Sequence, residues 1–188
     1  MTPVSLRSVQ DTTAELLAVL TRLVGNDPTL EGTAGQAAEL AHRQRAQLVA
    51  VVEHPAAAPG ILVGAVVSAG RPMQASAVEE MRYHLADVSG TDLREVTQAE
   101  TARGYPVLIV ERILLTGAQL QAVVSDPVSP RAMVFTLHSP TGRGWLELAG
   151  VAGQVVAGVD FTAPASVPGI RGASGRPLGG TSARSVSR

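Results

Sequence analysis

Three groupings of side chains in this sequence carry residue types that do chemistry. Glu111 and Arg112 lie side by side in the apolar run Tyr105-Pro-Val-Leu-Ile-Val-Glu-Arg-Ile-Leu-Leu115, where a charge is costly unless it is paired. Consecutive strand residues point to opposite faces, so the two cannot form one site directly. The plainer role pairs each with a charge such as Arg82, Glu79 or Glu147 at a helix edge; the functional one is contact with a ligand. His138 beside Ser139, with Asp126 in the neighbouring loop, supplies the types of a hydrolytic triad. Adjacent strand positions diverge, however, and the strained Gly-x-Ser-x-Gly elbow is absent, which leaves His138 as a candidate ligand contact. Thr141-Gly-Arg-Gly144, ahead of a helix, offers backbone amides and the Arg143 guanidinium to an anion. It lacks the Gly-Lys-Ser/Thr ending of a phosphate loop, and a flexible connector explains it equally well.

The four histidines, His42, His54, His84 and His138, include no pair at the i, i+4 spacing that places two imidazoles on one helix face. Neither a metal nor a cofactor is implied. There is no cysteine, which excludes disulfides, thiolate catalysis and Cys-ligated metals. Net charge is −1 over 188 residues, so no strong field draws the chain to nucleic acid or acidic lipid, and no nucleic-acid partner is expected. All fifteen basic residues are Arg, which reads as genome composition rather than a choice of guanidinium geometry. No apolar stretch approaches the ~20 residues that span a bilayer. The N-terminus lacks the pattern of a secretory signal, so the expectation is a soluble, cytoplasmic protein without an integral membrane segment.

The elements that must position these residues follow from periodicity. The apolar fraction is 45%, with only two Phe, two Tyr and one Trp, so small branched side chains must fill the core. Thr12 and Glu15 fit a capping box, and Leu16, Leu17, Leu20, Leu23 and Val24 repeat at helical spacing up to Gly25. Residues 34–44 predict a second helix with a narrow, Ala-rich face that favours close packing. Residues 48–53 and 61–68 read as two strands around Pro55, Pro59 and Gly60; the competing reading continues the second helix to Val52. Val78, Met81, Leu85 and Val88 predict a surface helix with one buried stripe. Residues 93–101 alternate as a half-exposed strand.

The run Tyr105–Leu115 puts Val107, Ile109, Glu111, Ile113 and Leu115 on one face and Leu108, Val110, Arg112 and Leu114 on the other. Both faces are therefore expected to be largely covered, as in an interior strand, and the run reads as the long central strand of the sheet. Residues 120–124 and 131–138 follow as the next two strands of a meander. Trp145, Leu148, Ala152, Val155 and Val159 then predict a closing helix that lies back on the sheet. From Thr162 the chain is Pro, Gly, Ser, Ala and Arg with few bulky aliphatics; such a stretch cannot offset its ordering entropy and is expected to be a disordered tail. Its arginines, Arg171, Arg176, Arg184 and Arg188, suit either a solvated end or a tether to an acidic partner.

The order of elements over residues 47–161, with the Gly104-Tyr-Pro-Val-Leu-Ile-Val entry and the Trp145 helix, resembles the PsbP-like superfamily. The resemblance is one of topology, without a diagnostic motif. It implies an α+β fold, an antiparallel sheet sandwiched by helices, and a mainly non-catalytic role in binding or assembly. The helical extension before Gln44 and the missing lipoprotein cysteine depart from it.

Three segments are expected: a helical extension over residues 1–45, an α+β sandwich over 46–161 and the tail over 162–188. The leading expectation is a non-catalytic binding or assembly accessory protein. Its protein partner, or a second copy of itself, would be met through Leu16, Leu20 and Leu23. The alternatives are a small-ligand carrier or small enzyme using Glu111, Arg112, His138 or Arg143, and a structural component of a secretion or envelope system.

Overall fold

The breaks expected at Gly25 and around Pro55 and Pro59 each separate two observed elements in the computed structural model, which describes residues 1–88 and 90–162. In chain order these are β1 (Thr2–Pro3), α1 (Val9–Val24), α2 (Thr29–Arg43), β2 (Leu48–Val52), β3 (Gly60–Ser68) and α3 (Ala75–Val88). They are followed by β4 (Leu93–Glu100), β5 (Pro106–Leu114), β6 (Gly117–Ser125), β7 (Arg131–Ser139) and α4 (Trp145–Ala157). The chain is an α+β protein with one antiparallel sheet in the order β1-β2-β3-β7-β6-β5-β4. The tail expected from Thr162, with its four arginines, lies outside the described residues apart from Thr162 itself.

The meander β4 to β7 is built from neighbours in sequence, but the sheet is joined by a long-range pairing. Strand β3 pairs with β7, Ile61 opposite His138 and Ser68 opposite Arg131. That pairing moves the middle of the sheet. The Tyr105–Leu115 run, expected to be central, forms β5, one strand in from the β4 edge, while β7 is the fourth of seven. Only the first half of β5 is buried, and Ile113 and Leu115 are exposed. Strand-to-strand order is set by contacts far apart in sequence, which a local pattern does not carry.

Side-chain parity assigns the layers. Val107, Leu120, Val124, Phe135 and Leu137 share one core with Trp145, Leu148, Ala152 and Val156 of α4. On the opposite face, Val49, Val51, Ile61 and Val63 pack under α1 and α2, and Leu108 and Val110 pack under Val78 of α3. Three helices thus cover two ends of one face and leave the β7–β6 strip between them less covered.

The N-terminal helices correct three expectations. The α1 cap is Ser8, whose Oγ accepts from the Asp11 amide at 3.1 Å; Thr12 is fully buried, and Glu15 accepts from the Ser5 amide. The helix starts three residues before the sequence-level box, so that box falls inside it. Leu16 and Leu20 are buried against the sheet, not offered to a partner, because α1 needs its apolar face for β2 and β3; of the three leucines only Leu23 stays exposed. Residues 1–45 are not an appendage either. They contribute β1, which pairs Thr2 with Val51, and one side of the core.

Helix α2 begins at Thr29 rather than Ala34, and its end settles the reading of 46–53. Arg45 takes a left-handed φ of 52°, the Ala46 amide donates to Ala41 O at 2.8 Å and the Arg45 amide to His42 O at 3.1 Å. These are the two bonds of a Schellman ending. The chain leaves the helix there and enters β2.

Candidate functional site

The less covered strip becomes a site because polar side chains line up across it. Register places Ile61, His138, Gln119 and Arg112 in one cross-strand row over β3, β7, β6 and β5, and Val63, Thr136, Gln121 and Val110 in the next. Neighbours in a row are ~4.8 Å apart, so His138 and Gln119 are in reach of one small ligand. Glycine permits this arrangement at Gly117, whose φ is 132°. A Cβ there would sit 2.0 Å from the Ser139 carbonyl oxygen, so β6 can start this close to the end of β7 only without a side chain.

Helix α2 supplies the wall. Thr33, Gln36, Ala37 and Leu40 form one stripe at helical spacing and, with Ile61, Val63, Leu114, Gln119, Thr136 and His138, enclose a cleft of about 220 Å³. Among the described residues, the side chains of Gln119, Thr136 and His138 have no hydrogen-bond partner within the protein. The cleft therefore offers an amide, a hydroxyl and an imidazole beside apolar surface. Burial pushes the His138 imidazole below its ordinary pKa, so at neutral pH the ring is uncharged, with one nitrogen to donate and one to accept.

A second cavity of about 320 Å³ adjoins the first at Thr33 and Ile61. It is walled by the end of α1, the start of α2 and the loops before β3 and after β7, and Arg143 lies on its lining. Gly144 sets that loop. Its φ is 68°, and a Cβ would come within 2.5 Å of Ala57, so the loop packs on the β2–β3 turn, where the Ala58 amide donates to Arg143 O at 3.1 Å.

The expected site residues divide between the faces. Arg112 and His138 share a face with Gln119 between them. Arg112 is held by Asp92 at 2.7 Å, and that hydrogen bond is the main cause of Asp92 lying below the ordinary carboxylate range. Glu111 is on the α4 face, 3.6 Å from Arg94 and 3.5 Å from Trp145 Nε1. The expected partners Arg82, Glu79 and Glu147 are thus replaced by Arg94 and Asp92, on or next to β4, the strand paired with β5.

The triad types do not converge. Asp126 lies by Arg131 at the far end of β7, seven strand positions from His138 or roughly 23 Å at ~3.3 Å per residue. Ser139 is buried on the other face, its Oγ accepting from the Gly142 amide. The amide cradle expected at Thr141–Gly144 is also engaged, since the Arg143 amide donates to Thr141 Oγ1; the guanidinium remains.

Sequence reasoning missed Gln119, Thr136 and the Thr33–Gln36–Leu40 stripe. Two signals were present: the alternation of Gln119 and Gln121 in an otherwise apolar strand, and Thr33, Gln36 and Leu40 at helical spacing. Among the described residues, no group of three His, Asp or Glu side chains could hold a metal ion, and no helix is long and apolar enough to cross a membrane. No protein-family model matches the chain and no curated protein matches it, so function is argued from the site.

Proposed function

We propose that this is a non-catalytic binding protein whose small ligand lies in the cleft between α2 and the β7–β6 strip. One observation carries the reading: Gln119, Thr136 and His138 present unpartnered polar groups together, beside apolar surface of α2 and β3. Such a mixture, mostly apolar with a few convergent polar groups, is what fixes and orients a small molecule. The separation of Asp126 from His138, and the burial of Ser139, argue for binding rather than turnover. The PsbP-like resemblance of residues 47–161 supports the same role.

Amide spectra of the 15N-labelled chain test this with a panel of neutral amide and heteroaromatic fragments. The signals of Thr136, His138, Gln119 and residues 33–40 should move together and saturate, and His138→Leu should abolish the effect. Shifts that gather elsewhere, or none at millimolar fragment, overturn the reading. A protein-partner role, if present, is carried by Leu23 and Val24, which are exposed at the end of α1, and not by Leu16 or Leu20.

A further inference from the structure

We infer that the cavity beside Arg143 takes a small carboxylate with an apolar body, and that this cavity sets the chemical class of the ligand. The inference rests on the small-ligand reading above. The walls are Leu20, Val24, Leu30, Pro59, Ile61 and Pro140, a surface that favours hydrocarbon. Arg143 lines both this cavity and a shallower one bordered by Leu23 and Pro55. Arg143 is exposed and, among the described residues, forms no ion pair, although Asp27 lines the first cavity and Glu53 the second, so its guanidinium is available to a ligand at the mouth of the apolar cavity.

The anion that fits is a carboxylate rather than a phosphate. One planar guanidinium matches two carboxylate oxygens in a fork. A phosphate needs further donors, and the amides of Gly142 and Arg143 already donate to Ser139 Oγ and Thr141 Oγ1. Because Thr141 Oγ1 accepts from the Arg143 amide, its own proton is free to reach the ligand. Asp27 lines the α2 side of the same cavity. Its Oδ1 accepts from the Thr29 hydroxyl at 2.7 Å and the Thr29 amide at 2.8 Å, and these bonds, the hydroxyl one foremost, hold it below the usual carboxylate range. It stays charged and repels an anion, which places the carboxylate on the Arg143 side and the apolar body towards Leu30 and Ile61.

The full chain is titrated with hexanoate, hexanamide and hexylamine and followed by calorimetry and amide shifts. Hexanoate should bind at least ~10-fold tighter than hexanamide, a gap expected for a charge-assisted fork. Arg143→Gln should close that gap without lowering the melting temperature, and Asp27→Asn should tighten hexanoate. Equal binding of hexanoate and hexanamide by the parent, or unchanged hexanoate binding by Arg143→Gln, overturns the proposal. Neutral-fragment shifts at Thr136 and His138, recorded on the same samples, separate the two readings: if they persist, only the carboxylate assignment has failed.

Discussion

Trp145 Nε1 faces Glu111 Oε2 at 3.5 Å, so the first residue of α4 is tied to the one acid of the apolar β5 strand. Arg94 on β4 approaches the same carboxylate oxygen at 3.6 Å. Glu111 thereby joins a helix and two strands, a structural role on the face away from the cleft. Trp145→Ala should cost about 3–5 kcal/mol, as expected for a large buried ring. Glu111→Gln, which keeps an acceptor for the indole, should cost under about 1 kcal/mol. Urea denaturation checks both, and neither change should alter fragment binding in the cleft.

Strong acid should loosen the β6–β7 turn, at a pH well below the range in which histidines titrate. Burial of the Asp126 carboxyl favours its neutral form, yet bonds from Ser129, Val128 and Arg131 outweigh that and hold its pKa at about 2, below the ordinary 3.8. The unfolded chain therefore takes up this proton more readily than the folded one. The stabilisation, at most about 2 kcal/mol, is complete above the ordinary value and is lost as pH falls towards about 2. Unfolding midpoints across this window should slope in the parent and flatten in Asp126→Asn.

Burial separates the leucines of α1. Leu16→Ala should destabilise by about 2–5 kcal/mol, because the side chain is fully enclosed between α1 and the sheet. Leu23→Ala should lie within about 0.5 kcal/mol of the parent. A Leu16 variant as stable as the Leu23 one would show that α1 does not hold the sheet as described.

Ser125 Oγ is buried without a partner among the described residues. Removing an unsatisfied buried hydroxyl relieves its desolvation cost, so Ser125→Ala should stabilise the protein by about 1 kcal/mol. Thermal melting measures this, and a loss of stability would show that the hydroxyl has a partner in solution.

The sequence by itself determined the elements that rest on local physics. Period-two runs, helical stripes and Pro-Gly turns gave the α+β class, the β5–β6–β7 meander, α3 and the α4 stripe led by Trp145. Facing parity also separated Glu111 from Arg112 correctly, because alternation along a strand needs no knowledge of its neighbours. Boundaries set by caps were less legible: Ser8 caps α1 through a side-chain Oγ of a kind that Thr12 also carries, and Arg45 ends α2 through backbone geometry that several residue types can adopt.

Only the tertiary structure decided which strands lie together and which surfaces are left open. The β3–β7 pairing brings Ile61 beside His138, two residues 77 positions apart in the chain, and nothing in either local pattern announces the other. The same pairing removes the Tyr105–Leu115 run from the centre of the sheet, turns Leu16 and Leu20 inward and leaves α2 and α3 apart on one face. The cleft at His138 and Gln119 follows from that gap. Local sequence sets what each segment prefers to be, while the register of distant segments settles which side chains meet.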